Sequence, residues 1–317
     1  MTATIAILSI GQMGLGVASL LRAHDFRVIT NVSDRSIATQ DRAKSASIEL
    51  LASDVELVQQ ADYILSIVPP KDSASTAQRI IDALKHDNVR KDKKEALWFL
   101  DLNAGSPDSA KMTYSAFTSD AQAVKFIDGG IIGGPPSQKQ DGTWSRPGIP
   151  LSGPHTLSSA PVSGARLASI LNTRHLGPEI GTASGLKACF AALSKGFTAL
   201  ALQSYTTAAN LHVLPDLRYY LDEYSPSARD KAEKSIVGCT TKAYRWIEEM
   251  HHIGHTFSAQ GGFGEQARVF REIAGVYQGL ADLVEVQGAE GLDSAEKVVS
   301  GLGKHVQQQH QEGDEKS

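Results

Sequence analysis

The stretch Ile7–Gly16, ILSIGQMGLG, decides how the first half of the chain is read. It closes an apolar run and carries three glycines, Gly11, Gly14 and Gly16. That is the composition of a tight strand-to-helix turn whose backbone can come close to a phosphate, with the negative charge on the helix N-terminus. Two registers are open. Starting at Gly11 gives G-x-x-G-x-G and places Gly16 inside the helix. Starting at Ser9 gives S-x-G-x-x-G, with Gly11 at the phosphate and Gly14 packing helix on strand. The apolar run stops at Ser9, which favours the second register. Serine enters a tight turn less freely than glycine, so this register predicts a negative φ at Ser9.

Outward from that turn, short β-rich runs alternate with amphipathic segments. Strands are expected at Thr4–Ser9, Arg27–Asn31, Tyr63–Val68, Leu97–Leu102 and Lys125–Gly129. Helices are expected at Met13–His24, Ser73–Lys85 and Pro107–Phe117. Such alternation implies βαβ units around a largely parallel sheet, which Ile149–Ser152 and Thr173–Leu176 could extend. Beyond Gly181 the pattern becomes helical, beginning with a proline-free, alanine- and leucine-rich stretch, ASGLKACFAALSKGFTALALQSYTTAANLH, that reads as one long helix. Pro215, Pro226 and the glycine pair at 261–262 break the rest. The expected architecture is a Rossmann-type, doubly wound α/β domain over 1–180 and an all-α domain over 181–306. A polar, frayed tail is expected over 307–317.

Bulk properties narrow the function. A formal charge of −4 over 317 residues leaves no basic footprint for nucleic acid. Cys189 and Cys239 are the only cysteines and form no CxxC, which suits a reducing compartment and excludes a cysteine-built zinc site. The N-terminus lacks a basic n-region, and no run of ~18 uninterrupted apolar residues occurs, so neither signal peptide nor membrane span is expected. A cytoplasmic location follows as an expectation.

The end of the second strand bears on the cofactor. Sites for NAD usually place an acidic residue there, about 20 residues past the glycines, to bind ribose hydroxyls. Here the stretch is TNVSDRS: Asn31 and Ser33 are neutral, and Asp34 is followed by Arg35 and Ser36. Arginine can hold a 2′-phosphate bidentately and stack on adenine. NADP is therefore expected over NAD, with Asn31, Ser33, Arg35 and Ser36 at the ribose, while Asp34 argues the other way. Ser36 also reads as a helix cap over a solvated loop.

Four stretches in order, ADYILSIVPP, FLDLNAGSP, FIDGGIIGGPP and GTASGLKACFAALSKG, resemble the successive motifs of the β-hydroxyacid dehydrogenases. That superfamily also holds 6-phosphogluconate dehydrogenase and the imine reductases. The chain is too short for the large pentose-pathway enzymes, and its downstream EMHHIGHTF resembles a less characterised branch of the group. The resemblance implies that Gly11, Gln12, Met13 and Gly14 hold the pyrophosphate and that Val68 and Pro69 contact the cofactor near its nicotinamide half. It places Asn103 beside nicotinamide and substrate, and Gly133 and Gly134 in a substrate-binding loop. It also implies a homodimer through interlocking helical domains, and a cleft at the carboxyl ends of the sheet closed by the helical domain.

Two departures stand out. Ile132 replaces the serine of the family's Ser-Gly-Gly, and Ala191 replaces the asparagine that follows the catalytic lysine by one helical turn. The lysine itself, Lys187, is present among small or apolar neighbours, Ala183, Ser184, Leu186, Ala188 and Cys189. A lysine desolvated in a cleft can act as general acid or base near neutral pH. Lys187 is accordingly the expected catalytic and substrate-contacting residue. Lys195, about 80° further round the helix, is a weaker candidate, with a helix-surface charge as the alternative reading.

In EMHHIGHTF, His251 and His255 have the spacing of a helical metal site. They fall opposite the apolar stripe Trp246, Met250, Ile253 and Phe257, on the solvent or subunit-interface side, and His252 also lies off it; with no third ligand evident, no metal is expected. Glu249 and Thr256 flank the stripe, and Glu249 is the candidate to face substrate. The sequence thus reads as an NADP-dependent oxidoreductase acting between nicotinamide and a small hydroxyacid, alcohol or carbonyl compound. An imine reductase or reductive aminase is the alternative that loss of the serine and asparagine favours. A non-catalytic NADP-binding protein is the third.

Overall fold

The computed structural model describes residues 2–120 and 124–314. Two compact units divide it, Met1–Ala188 and Cys189–Ser317.

The first unit runs β1 (Thr4–Leu8), α1 (Gln12–Ala23), β2 (Arg27–Thr30), α2 (Ile37–Ser45), β3 (Glu49–Leu50), α3 (Asp54–Gln60), β4 (Tyr63–Ser66) and α4 (Pro70–Leu84). It continues with β5 (Leu97–Asp101), α5 (Pro107–Asp120), β6 (Val124–Gly129), β7 (Ser137–Gln138), β8 (Trp144–Ser145), β9 (Ile149–Ser152), α6 (Gly164–Ile170) and β10 (Thr173–His175). Eight of these strands form one sheet in the order β10-β9-β6-β5-β4-β1-β2-β3, and β7 pairs with β8 separately. The order reverses at β1, where β4 and β2 flank it in parallel register. In a doubly wound sheet, that reversal opens the ligand crevice at the strands' carboxyl ends.

Strand burial follows the pleat. Ile5, Ile7, Tyr63, Leu65 and Leu100 pack into one core, and Ala6, Leu8, Ile64, Phe99 and Phe126 into the other, each beneath its own layer of helices. β9 departs from the parallel expectation: it pairs antiparallel with β6, Asp128 opposite Ser152. No crossover helix separates the two strands, so the chain reverses directly through the β7–β8 hairpin. The short elements α2, β3 and α3 carried no clear periodicity in the sequence. Local capping explains α3, where Ser53 accepts from the Glu56 N–H (3.1 Å) and Glu56 accepts from the Ala52 N–H (3.1 Å).

The long helix is α7 (Thr182–Asn210). The compact units divide within it, after Ala188, rather than near residue 180. Its first turn is bonded to Asp128 of β6, which ties that turn to the sheet. By length and composition α7 is long and apolar enough to cross a membrane, and 44% of its apolar window is buried inside the protein.

The second unit adds α8 (Leu214–Tyr224), α9 (Pro226–Cys239), α10 (Ala243–Ala259), α11 (Val269–Gln287) and α12 (Ala295–Asp314). Pro215 and Pro226 sit in the first turns of α8 and α9, where a missing N–H costs nothing. Tyr205, Ile236, Met250, Tyr277, Leu280 and Val298 are fully buried in its core. Residues 307–314, expected to fray, are helical because α12 runs through Asp314; 315–317 lie outside the described residues. Val298, Val299 and Leu302 anchor the earlier turns, and glutamines continue a helix at little cost.

Candidate functional site

At the end of β1 the backbone turns at Gly11, the N-cap of α1, in an extended conformation (φ −76°, ψ −172°). A Cβ on Gly14 would collide with the Ser9 carbonyl oxygen, so only glycine lets the helix cross the strand end this closely. Ser9 is not at positive φ. Gly16 packs as well: its Cβ would meet the Pro136 carbonyl oxygen at 2.9 Å, which the sequence did not signal. A Cβ on Gly11 would meet nothing within 4 Å. No side chain caps α1, and its first turn, with Gln12 and Met13, holds no acid. An open, uncapped, positive helix end is what an anion requires.

Beside this turn, at the end of β2, a polar cluster has formed. Asn31 donates from Nδ2 to Asp54 (2.7 Å) and accepts at Oδ1 from the Ser33 N–H (3.1 Å) and hydroxyl (2.8 Å). Ser36 is the N-cap of α2 but caps no backbone N–H; its hydroxyl meets that of Thr39 at 3.1 Å. Arg35 lies 3.6 Å from Asp34, and Arg79 of α4 donates to both Asp34 and Asp54. Arg79 was not singled out by sequence reasoning, because 45 residues separate it from Asp34.

At the ends of β4 and β5, Asn103 is nearly fully buried. Its Oδ1 accepts from the Val68 N–H (2.7 Å), and its Nδ2 faces Ser66 (3.0 Å), Ser73 (3.0 Å) and Asp101 (2.6 Å). The amide therefore braces Val68 and the start of α4, with Pro69 as that helix's N-cap. Asp101 is the anchor of this network. Burial pushes its carboxyl up to about 6 and the Asp128 charge adds to that, while the Asn103 and Ser73 bonds oppose it.

The sign of the resulting pH dependence follows from proton binding. Between about pH 4 and 6 the native Asp101 keeps a proton that the unfolded chain has lost, so this group favours the native state as pH falls towards 4. Its ionisation above pH 6 costs up to roughly 3 kcal/mol. The stability of Asp101→Asn, which keeps an acceptor for Asn103, should therefore rise relative to wild type as pH goes from 4 to 7 in urea unfolding. Parallel profiles would contradict this.

Asp128, on the next strand, is the second carboxylate missed from sequence. Its Oδ2 accepts from the N–H groups of Gly181 (3.0 Å), Ala183 (3.1 Å) and Ser184 (3.2 Å) and from the Ser152 hydroxyl (2.8 Å). Its Oδ1 accepts from the Ser184 hydroxyl (2.6 Å). Burial raises its pKa against these bonds. The carboxylate thus sits on the positive end of α7 and fixes where that helix begins.

Lys187 follows one turn later, half-buried, with Nζ donating to the Ile131 carbonyl. Its stem lies on Gly130, where an added Cβ would come within 2.9 Å of the lysine Cβ. The Asp128-Gly129-Gly130 run therefore fixes the lysine at both its helix start and its stem. That double glycine after an acid was the available sequence signal. Ile132 is held in an antiparallel bridge to Gly148, and Gly133 has φ +122° against Pro147, with Gly134 exposed beside it.

The remaining candidates lie in the helical unit. Lys195 is not a surface charge: it pairs with Glu249, the two side chains being 11% and 16% exposed, and its Nζ stands 5.1 Å over the Trp246 ring. The Glu249 carboxylate is engaged by that pairing. His251 and His255 are exposed, and His252 is 3.8 Å from Glu248. Among the described residues no His, Cys, Asp or Glu group could hold a metal.

The chain has a fold shared with hydroxyacid dehydrogenases and imine reductases. Residues 4–89 match a family described as NADP oxidoreductase, coenzyme F420-dependent, and 208–280 match a domain of unknown function. A conserved hypothetical protein from Sinorhizobium meliloti 1021 is similar at 21% identity and TM-score 0.65, covering 96% of this chain and 97% of the other. The Mycobacterium tuberculosis 3-hydroxyisobutyrate dehydrogenase with L-serine gives 16% identity and TM-score 0.63, over 95% and 99% of the two chains. An imine reductase from Myxococcus stipitatus in complex with NADP+ gives 16% and 0.53, over 94% and 98%. No curated protein sequence matches the chain.

Proposed function

We propose that this protein is an NADP-dependent oxidoreductase that reduces a small carbonyl compound or oxidises the corresponding alcohol or hydroxyacid, with Lys187 as general acid and base. The observation that carries the reading is the placement of Lys187. Its helix start is held by Asp128, its stem by Gly130, and its Nζ lies at the loop leading to Gly133 and Gly134.

The first unit also fits the cofactor. Gly11 leaves open space at the uncapped end of α1, and the Val68 loop is braced by Asn103. When bound, NADP supplies or accepts the hydride. Lys187 Nζ then delivers a proton to the substrate oxygen as the carbonyl is reduced, or withdraws it in the reverse direction. Gly133 and Gly134 offer backbone N–H groups to a substrate carboxylate, a role in which Ile132 contributes no hydroxyl. Ser33, Arg35 and Ser36 are the ribose-phosphate residues in this reading.

Reductive amination is the second reading, favoured by a specific feature: Ala191, buried one turn beyond Lys187, offers no polar group to a hydroxyl. A cytoplasmic homodimer through the helical unit completes the proposal, supported by Phe190, Leu193 and Leu200 of α7, which are 48%, 78% and 60% exposed. The test is a panel of hydroxyacids, aldehydes, ketones and ketone–amine mixtures with NADPH and NADH. Turnover of carbonyls with NADPH is expected. Turnover of imines alone would move the assignment to the second reading, and cofactor binding without any turnover would make the protein a binder.

A further inference from the structure

The cluster at the end of β2 contains more than a phosphate-binding arginine. Asp34 stands where an acid would ordinarily accept hydrogen bonds from the ribose diol and repel a 2′-phosphate. In this protein its Oδ2 already accepts from Arg79 Nη1 at 2.9 Å. The same guanidinium makes a fork to Asp54, Nε at 2.8 Å and Nη2 at 3.0 Å, and Asp54 also accepts from Asn31. Arg79 is 31% exposed and Asp54 16%, so the fork is partly shielded from solvent and its geometry is fixed from α3 and α4. Arg35, by contrast, has a 3.6 Å ion contact to Asp34. Two acids are thus balanced by two arginines, one committed inward and one at the rim.

We infer that Arg79 is a positioning residue for cofactor choice: by holding the Asp34 carboxylate it withdraws the diol acceptor, cancels its charge and leaves Arg35 to the 2′-phosphate. This rests on the NADP reading and extends it to a residue outside the β2 loop. Without Arg79, the whole charge of Asp34 would fall on the ribose and on Arg35, already 3.6 Å away, which favours NAD and disfavours a group carrying roughly −2 charge.

The test is equilibrium binding of NADPH and NADH to the full chain, read by nicotinamide fluorescence without substrate. Arg79→Gln should raise the NADPH Kd by about tenfold or more while changing the NADH Kd less than about threefold, as expected for loss of one charged partner. The double variant Arg79→Gln with Asp34→Asn should recover most of the NADPH affinity, because the carboxylate at the ribose is gone, while Asp54 stays mostly buried and bonded to Asn31. Equal weakening of both cofactors, or no recovery in the double variant, would overturn the inference. Should Arg79→Gln not fold, Asp34→Asn alone decides, since it leaves the Asp54 fork whole: it should hold or strengthen NADPH and weaken NADH no more than threefold. A marked loss of NADPH affinity in that variant would refute the role. A wild type that prefers NADH sinks the NADP reading separately, while the ratio changes still judge Arg79.

Discussion

Lys187→Met is expected to lower kcat/KM for the reduced carbonyl by about 10²–10⁴-fold, the range for loss of a positioned general acid. The NADPH Kd should stay within about threefold of wild type. Methionine keeps an unbranched stem that can lie against Gly130, so the helix start and the loop should survive, while the proton donor does not. Asp128 holds α7 through its first-turn N–H groups and is untouched by the change. A steady-state comparison of the two proteins separates the outcomes. Loss of cofactor binding alongside turnover would mean that Lys187 supports the fold, and unchanged turnover would remove it from the chemistry.

The second large effect concerns the glycine turn, and it comes as a contrast. Gly14→Ala should destabilise the protein by about 3 kcal/mol or more and abolish measurable NADPH binding. Its methyl would collide with the Ser9 carbonyl oxygen, a backbone atom that cannot swing aside, so α1 must lift off β1. Gly11→Ala has room for its methyl and a φ of −76° that alanine adopts freely, so thermal unfolding should stay near wild type. NADPH affinity should nevertheless fall at least about tenfold, because the methyl occupies the space left for the pyrophosphate. If Gly11→Ala binds NADPH normally, the phosphate does not lie at Gly11.

These two predictions draw on features that the sequence exposed unequally. The turn was legible because strand end, glycines and helix start are neighbours in the chain, so local rules apply. The parallel strands and α7 were legible for the same reason, through periodicity and a long run without proline. Asp128 was not: its partners at Gly181, Ala183 and Ser184 lie 53 to 56 residues away, and nothing local marks a buried carboxylate at a helix end. Arg79 stayed hidden for an equivalent reason, and so did Lys195, whose partner Glu249 lies on a different helix. Asn103 was located by resemblance, but its four-way bonding is a property of packed strands and cannot be read from FLDLNAGSP. The antiparallel β9 escaped because the loop of 130–148 gave no sign of reversing the chain without a crossover.

The most direct test of the central claim is to run the active members of the substrate panel with NADPH deuterated at the transferable C4 position. The account predicts one deuterium on the new carbinol carbon of the product, at a rate that Lys187→Met lowers by two orders of magnitude or more. Product without the label, or labelled product formed equally fast by the variant, would contradict it.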